Sequence, residues 1–63
     1  MFRLQSYSVI WAKEQTGTID ICRRDFVTRN EAIAFARNVI DSGNILSLEV
    51  VDKNDLTIFE MET

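Results

Sequence analysis

From Gln5 to Ala12, Tyr7, Val9 and Trp11 alternate with Ser6, Ser8, Ile10 and Ala12. Successive side chains leave a strand on opposite faces, so a period of two in β-favouring types predicts a half-buried strand. Lys13-Glu14-Gln15-Thr16-Gly17 breaks the pattern, and Thr18-Ile19-Asp20-Ile21-Cys22-Arg23 resumes it. The two runs predict a hairpin with a loop of about five residues. In that pairing Tyr7, Val9 and Trp11 share a core face with Ile19 and Ile21.

The period then changes. Thr28-Arg29-Asn30-Glu31 has the T-x-x-E form of a capping box, in which the Thr28 hydroxyl accepts from the Glu31 amide and the Glu31 carboxylate returns to the Thr28 amide. At 100° per residue, Ala32, Ile33, Phe35, Ala36, Val39 and Ile40 fall on one arc, and Asn30, Ala34, Arg37, Asn38 and Asp41 lie opposite. Ser42-Gly43 closes the predicted helix, with glycine suited to a left-handed position beyond its end. Ile45 to Val51 alternates again, Asp52-Lys53-Asn54-Asp55 has turn composition, and Leu56 to Met61 predicts a last strand.

The expected fold is therefore α+β, ordered β-β-α-β-β: a four-stranded antiparallel sheet with one helix packed on one face, in a single small domain over residues 1–63. The crossover through the helix makes the second and third strands parallel and leaves room between them. Placing the first strand there gives the order 2-1-3-4, with 1-2-4-3 as the alternative. The helix-facing set becomes Tyr7, Val9, Trp11, Ile19, Ile21, Leu46, Leu48, Val50, Leu56 and Ile58. Alternation sends Ile10, Ala12, Cys22, Ile45, Val51, Phe59 and Met61 to the other side, with Ser8, Thr18, Asp20, Ser47, Glu49 and Thr57. One helix cannot cover both sides, so Ile10, Ile45, Val51, Phe59 and Met61 form a candidate interaction face, for a second copy or for another protein.

Size strengthens that expectation. A chain of 63 residues hides only about 60% of the surface its unfolded form exposes, and Cys22, its single cysteine, cannot form an internal disulfide. Association with another chain is one way to make up the deficit. Met1 is followed by Phe2-Arg3-Leu4-Gln5-Ser6, without the apolar stretch of a secretory leader, and no run approaches the ~20 residues of a membrane span. A cytoplasmic protein is expected.

Catalytic chemistry finds little to work with. The sequence has no histidine, which removes the usual general base and the commonest metal ligand. Cys22 therefore has no imidazole to activate it, and the carboxylates are scattered through turns and strand ends. Gly17 and Gly43 are both explained by turns and belong to no phosphate-binding run. No catalytic residue, cofactor site or metal site is assigned, and a non-enzymatic protein is expected.

Charge is uneven along the chain. Residues 1–40 carry six bases against four acids, and residues 41–63 carry six acids against Lys53 alone. Arg23, Arg24 and Arg29 are candidate nucleic-acid contacts, supported by Arg3 and Arg37 and the aromatics Tyr7 and Trp11. Phosphate binding needs a concentrated basic footprint, however, and the isoelectric point near 4.7 opposes it. A nucleic-acid-associated accessory protein is thus the second reading, behind a homodimeric protein-interaction module.

Tyr7-Ser8-Val9, Thr28-Arg29-Asn30-Glu31-Ala32-Ile33-Ala34-Phe35-Ala36-Arg37 and Leu48-Glu49-Val50-Val51-Asp52-Lys53 together resemble a family of small bacterial domains of unknown function. There an aromatic-x-Val strand, a T-x-x-E-A-I-x-x-A helix and a second hairpin follow in the same order. The resemblance spans nearly the whole chain and implies the same fold, without implying an activity. It departs at the second hairpin turn, where Asn54-Asp55 stands in place of the family's glycine. By analogy of size, the chain also looks like the accessory proteins of phages and prophages that bind one host protein.

Overall fold

A computed structural model describes residues 6–61. Its elements run β1 (Tyr7–Gln15), β2 (Thr18–Phe26), α1 (Arg29–Ser42), β3 (Ile45–Asp52) and β4 (Thr57–Glu60). The strands form one antiparallel sheet in the order β2-β1-β3-β4, so the fold is α+β and the first strand fills the gap spanned by the helix crossover. Gln5, expected to open the first strand, lies outside the described residues.

The first hairpin differs from expectation in a way that reorders the faces. Lys13, Glu14 and Gln15 continue β1, and Thr16-Gly17 alone make the turn, both with positive φ (46° and 81°). That is the backbone of a two-residue turn whose twist matches that of its strands. Gln15 then pairs with Thr18, Trp11 with Cys22 and Val9 with Arg24. A loop of five residues would instead have set Trp11 beside Ile19. This shift of one in parity turns β2 over: Cys22, Arg24 and Phe26 face the helix side with Thr18 and Asp20, while Ile19 and Ile21 face away.

Two bulges, one where β3 pairs with β1 and one where β4 pairs with β3, change the facing of residues in the same manner. Ala12 pairs with Ser47 but Lys13 with Ile45, leaving Leu46 as an extra residue in β3. Val50 pairs with Phe59 but Val51 with Thr57, leaving Ile58 extra in β4. An extra residue breaks strict alternation. Ile45 consequently packs against the core whereas Leu46 is exposed, and Ile58 and Phe59 both lie on the helix side. Met61, whose amide donates to the Leu48 carbonyl at 3.0 Å, packs there too. Leu56 belongs to the turn and is exposed.

The core beneath the helix consists of Val9, Leu48 and Val50 against Ala32 and Ala36. Those two alanines let the helix backbone approach the sheet, and larger residues close the rim. Phe35 touches Trp11 and Phe26, with ring centroids 5.3 and 5.2 Å apart. Thr28 caps α1, its hydroxyl oxygen accepting from the Glu31 amide at 3.2 Å. The Glu31 carboxylate accepts from that same hydroxyl at 3.0 Å rather than from the Thr28 amide. At the other end the Gly43 amide donates to the Ile40 carbonyl at 3.2 Å, and φ values of 83° and 64° at Gly43 and Asn44 turn the chain into β3.

Candidate interaction surface

The sheet face away from α1 is built by the alternate positions of all four strands. β1 contributes Ser8, Ile10, Ala12 and Glu14, and β2 contributes Ile19, Ile21, Arg23 and Asp25. β3 and β4 add Leu46, Ser47, Glu49, Val51, Thr57 and Glu60. Ile19, Ile21 and Leu46 are 60%, 69% and 44% exposed, values that mark them as uncovered apolar side chains. Ile10, Ala12, Ile21, Leu46, Glu49 and Glu60 line a shallow depression of about 510 Å³ on this side.

The candidate face named from the sequence divides between the two sides. Ile10 and Val51 stand on the outer face as expected. Ile45 and Phe59 do not: they pack against the core, because the bulges at Leu46 and Ile58 shift their parity, whereas Met61 both packs against the core and borders the outer depression. Ile19, Ile21 and Leu46 replace them as the apolar residues of the outer face. The Thr16-Gly17 pair carried the signal for β2, since a glycine in the second place of a two-residue turn suits a tight hairpin.

The outer face has a polar end and an acidic side. At the polar end the Ser8 hydroxyl donates to Asp25 Oδ1 at 2.7 Å, and Arg23 Nε donates to the same oxygen at 3.1 Å. Arg23 Nη2 also donates to the Ser8 hydroxyl at 3.1 Å. The bonds from Ser8 and Arg23, helped by the arginine's charge, hold the Asp25 carboxyl below its ordinary value of 3.8 against a weaker opposing effect of desolvation. On the acidic side Glu49 and Glu60 are direct cross-strand partners, and Glu49 Oε2 accepts from the Thr57 hydroxyl at 3.1 Å.

The candidate nucleic-acid contacts are divided between the two sides of the sheet. Arg23 lies on the outer face, paired with Asp25, whereas Arg24 lies on the helix side above the rings of Phe35 and Phe26, 5.2 and 5.7 Å from their centroids. Arg29 opens the helix and borders a separate groove with Arg37, Ile33 and Phe59. Cys22 is half-buried on the helix side, opposite Trp11. Among the described residues no group of three or more histidine, cysteine or acidic side chains is gathered for a metal, and no helix is long and apolar enough to cross a membrane.

Comparison of the chain with family models, with curated proteins and with solved structures found no match. What this chain can do is then a matter of its own geometry.

Proposed function

We propose that the chain is a non-enzymatic, homodimeric protein-interaction module whose outer sheet face receives a protein partner carrying apolar side chains flanked by basic ones. The observation that carries this reading is the exposed Ile19, Ile21 and Leu46 around the half-buried Ile10, beside Glu49 and Glu60, a like-charged cross-strand pair with no ion-pair partner among the described residues. Apolar surface left in water is unfavourable at roughly 25 cal/mol per Å². Like charges set directly opposite on neighbouring strands are unfavourable as well. A partner that brings both a hydrophobic segment and a Lys or Arg relieves the two together.

A second copy laid face to face does not meet that need. It would bring Glu14, Asp25, Glu49 and Glu60 against the same four acids, with Arg23 already engaged by Asp25. The absence of histidine from the sequence, and the assignment of both glycines to turns, support the non-enzymatic part. The placement of Arg23 and Arg24 on opposite sides of the sheet argues against nucleic-acid binding.

The test is affinity capture from the source cell with the tagged chain, repeated with Leu46→Glu and Ile10→Glu. A specific protein retained by the wild type and lost by both folded variants is expected, with binding weakened further by raised salt. Capture that is unchanged in both variants removes the outer face from the reading.

A further inference from the structure

The edge of the sheet offers a surface that the outer face does not include. β2 has β1 on one side and, among the described residues, no strand on the other. The two-residue turn makes Gln15 and Thr18 the closing hydrogen-bonded pair, so the backbone groups of Thr18, Asp20, Cys22, Arg24 and Phe26 point at β1. Those of Ile19, Ile21, Arg23 and Asp25 point away from the sheet. The hydrogen bonds beyond β1 agree with this alternation: the Glu14 amide, of the opposite parity to Trp11, donates toward β3 at the Asn44 carbonyl, 3.2 Å away. Natural proteins commonly blunt such an edge with proline, a bulge or charged side chains. β2 has no proline and pairs with β1 without a shift of register, and its charges, Asp20, Arg23, Arg24 and Asp25, are of both signs, so they repel a foreign strand without excluding a complementary one.

The side chains along this edge complement their own reverse. When two β2 strands run antiparallel about a two-fold axis at Cys22, Asp20 stands opposite Arg24 of the second copy, and Arg24 opposite Asp20 of the second copy. These are non-hydrogen-bonded positions, where opposed side chains come closest. Ile21 then pairs with Arg23 of the second copy, and Ile19 with Asp25 of the second copy, at the positions whose backbone groups are free. The arrangement makes about eight backbone hydrogen bonds. Moving the axis to Ile21 sets Asp20 against cysteine, and moving it to Arg23 sets two like arginines face to face. Charge therefore selects one register.

The groups involved are prepared for it. Arg24 is exposed yet held over Phe35 and Phe26, so its guanidinium loses little freedom on pairing. Asp20 is exposed and makes no ion pair among the described residues. The helix packs over β1 and β3 and reaches β2 chiefly through Phe35, which leaves the edge open. With strands about 4.8 Å apart, two helices centred between β1 and β3 would stand about 19 Å from each other. Each is about 10–12 Å across, so they do not collide.

We propose that a second copy of this chain docks along β2, joining the two sheets into one antiparallel sheet of twice the width. Both helices lie on one side of it, and the two outer faces become one surface on the other. The proposal deepens the reading of the chain as a homodimeric interaction module by naming the dimer contact. The two can fail separately, because Leu46 and Ile10 lie away from this edge.

Sedimentation equilibrium of the full chain under reducing conditions, with circular dichroism as a check on folding, decides the matter. The wild type should have a dimer's mass at high micromolar concentration. Asp20→Arg should weaken association by about tenfold or more, since it sets like charges opposite each other at both pairs. Asp20→Arg combined with Arg24→Asp should restore the dimer. Mild oxidation of the wild type with diamide should link the two Cys22 thiols, whose expected spacing suits a disulfide, and Asp20→Arg should slow that linkage. A wild type that stays monomeric overturns the proposal, as does a dimer indifferent to Asp20→Arg or a folded double variant that remains monomeric. Should loss of Arg24 from its aromatic seat unfold the double variant, Asp20→Arg and the rate of Cys22 linkage decide alone.

Discussion

Asp25 shows how one side chain ties two strands together on the outer face. Ser8 comes from β1 and Arg23 from β2, and both donate to the same carboxylate oxygen. The Ser8 bond is the larger cause of the lowered pKa and the Arg23 bond the next, because each favours the ionised form. A carboxyl whose folded pKa lies below its unfolded one stabilises the fold above the unfolded value, and that stability is lost as pH falls through the folded value. Asp25→Asn is therefore expected to lower the urea midpoint at neutral pH. The gap from wild type should close as both proteins are taken into acid, below the ordinary aspartate value of 3.8. Urea titrations across that range check it, and a gap of constant size would mean that the charge of Asp25 is not what its partners stabilise.

At the scale of elements the first hairpin is the most informative. Thr16 has φ of 46°, a left-handed backbone that a β-branched residue adopts only under strain, and Gly17 follows at 81°. Asn-Gly is the preferred pair for such a turn. Thr16→Asn should raise stability by about 1 kcal/mol, roughly what leaving the strained conformer is worth, and thermal or urea unfolding would show it. No gain would mean that the surrounding strands offset the strain of threonine.

The same turn explains what the sequence could and could not disclose. Thr28-x-x-Glu31 and Gly43 marked the ends of α1 because caps are local chemistry, and the crossover rule together with the need for an antiparallel neighbour led to the observed strand order. The facing of β2 depended on whether Lys13, Glu14 and Gln15 were loop or strand. Polar composition suggested loop, yet these residues lie near the free end of the hairpin, where a strand can be wet on both sides. One step in parity then misplaced Ile19, Ile21 and Cys22 together. The bulges at Leu46 and Ile58 have no composition of their own, since each is defined only against its partner strand. They moved Ile45 and Phe59 out of the candidate face, left Met61 at its border and brought Leu46 into it.

For the whole molecule, one helix on one side of a sheet leaves the two sides with unequal duties, and Phe59 and Leu46 report on them separately. Phe59 pairs with Val50, which is fully buried, and packs against the core from the helix side. Leu46 is 44% exposed on the opposite side. Phe59→Glu removes a large apolar contact with the core and puts a carboxylate in its place, which Arg29 and Arg37 at the edge of the same groove offset only in part. Large-to-small changes of phenylalanine in cores already cost about 3–5 kcal/mol, a large part of the margin available to so short a chain. Loss of cooperative unfolding is expected. Leu46→Glu takes apolar surface out of water contact and needs no repacking, so it should leave the unfolding midpoint within about 0.5 kcal/mol of wild type. Parallel urea titrations followed by circular dichroism compare the two. A folded Phe59→Glu beside an unfolded Leu46→Glu would reverse the assignment of the faces, and with it the claim that a partner meets the sheet on the side away from the helix.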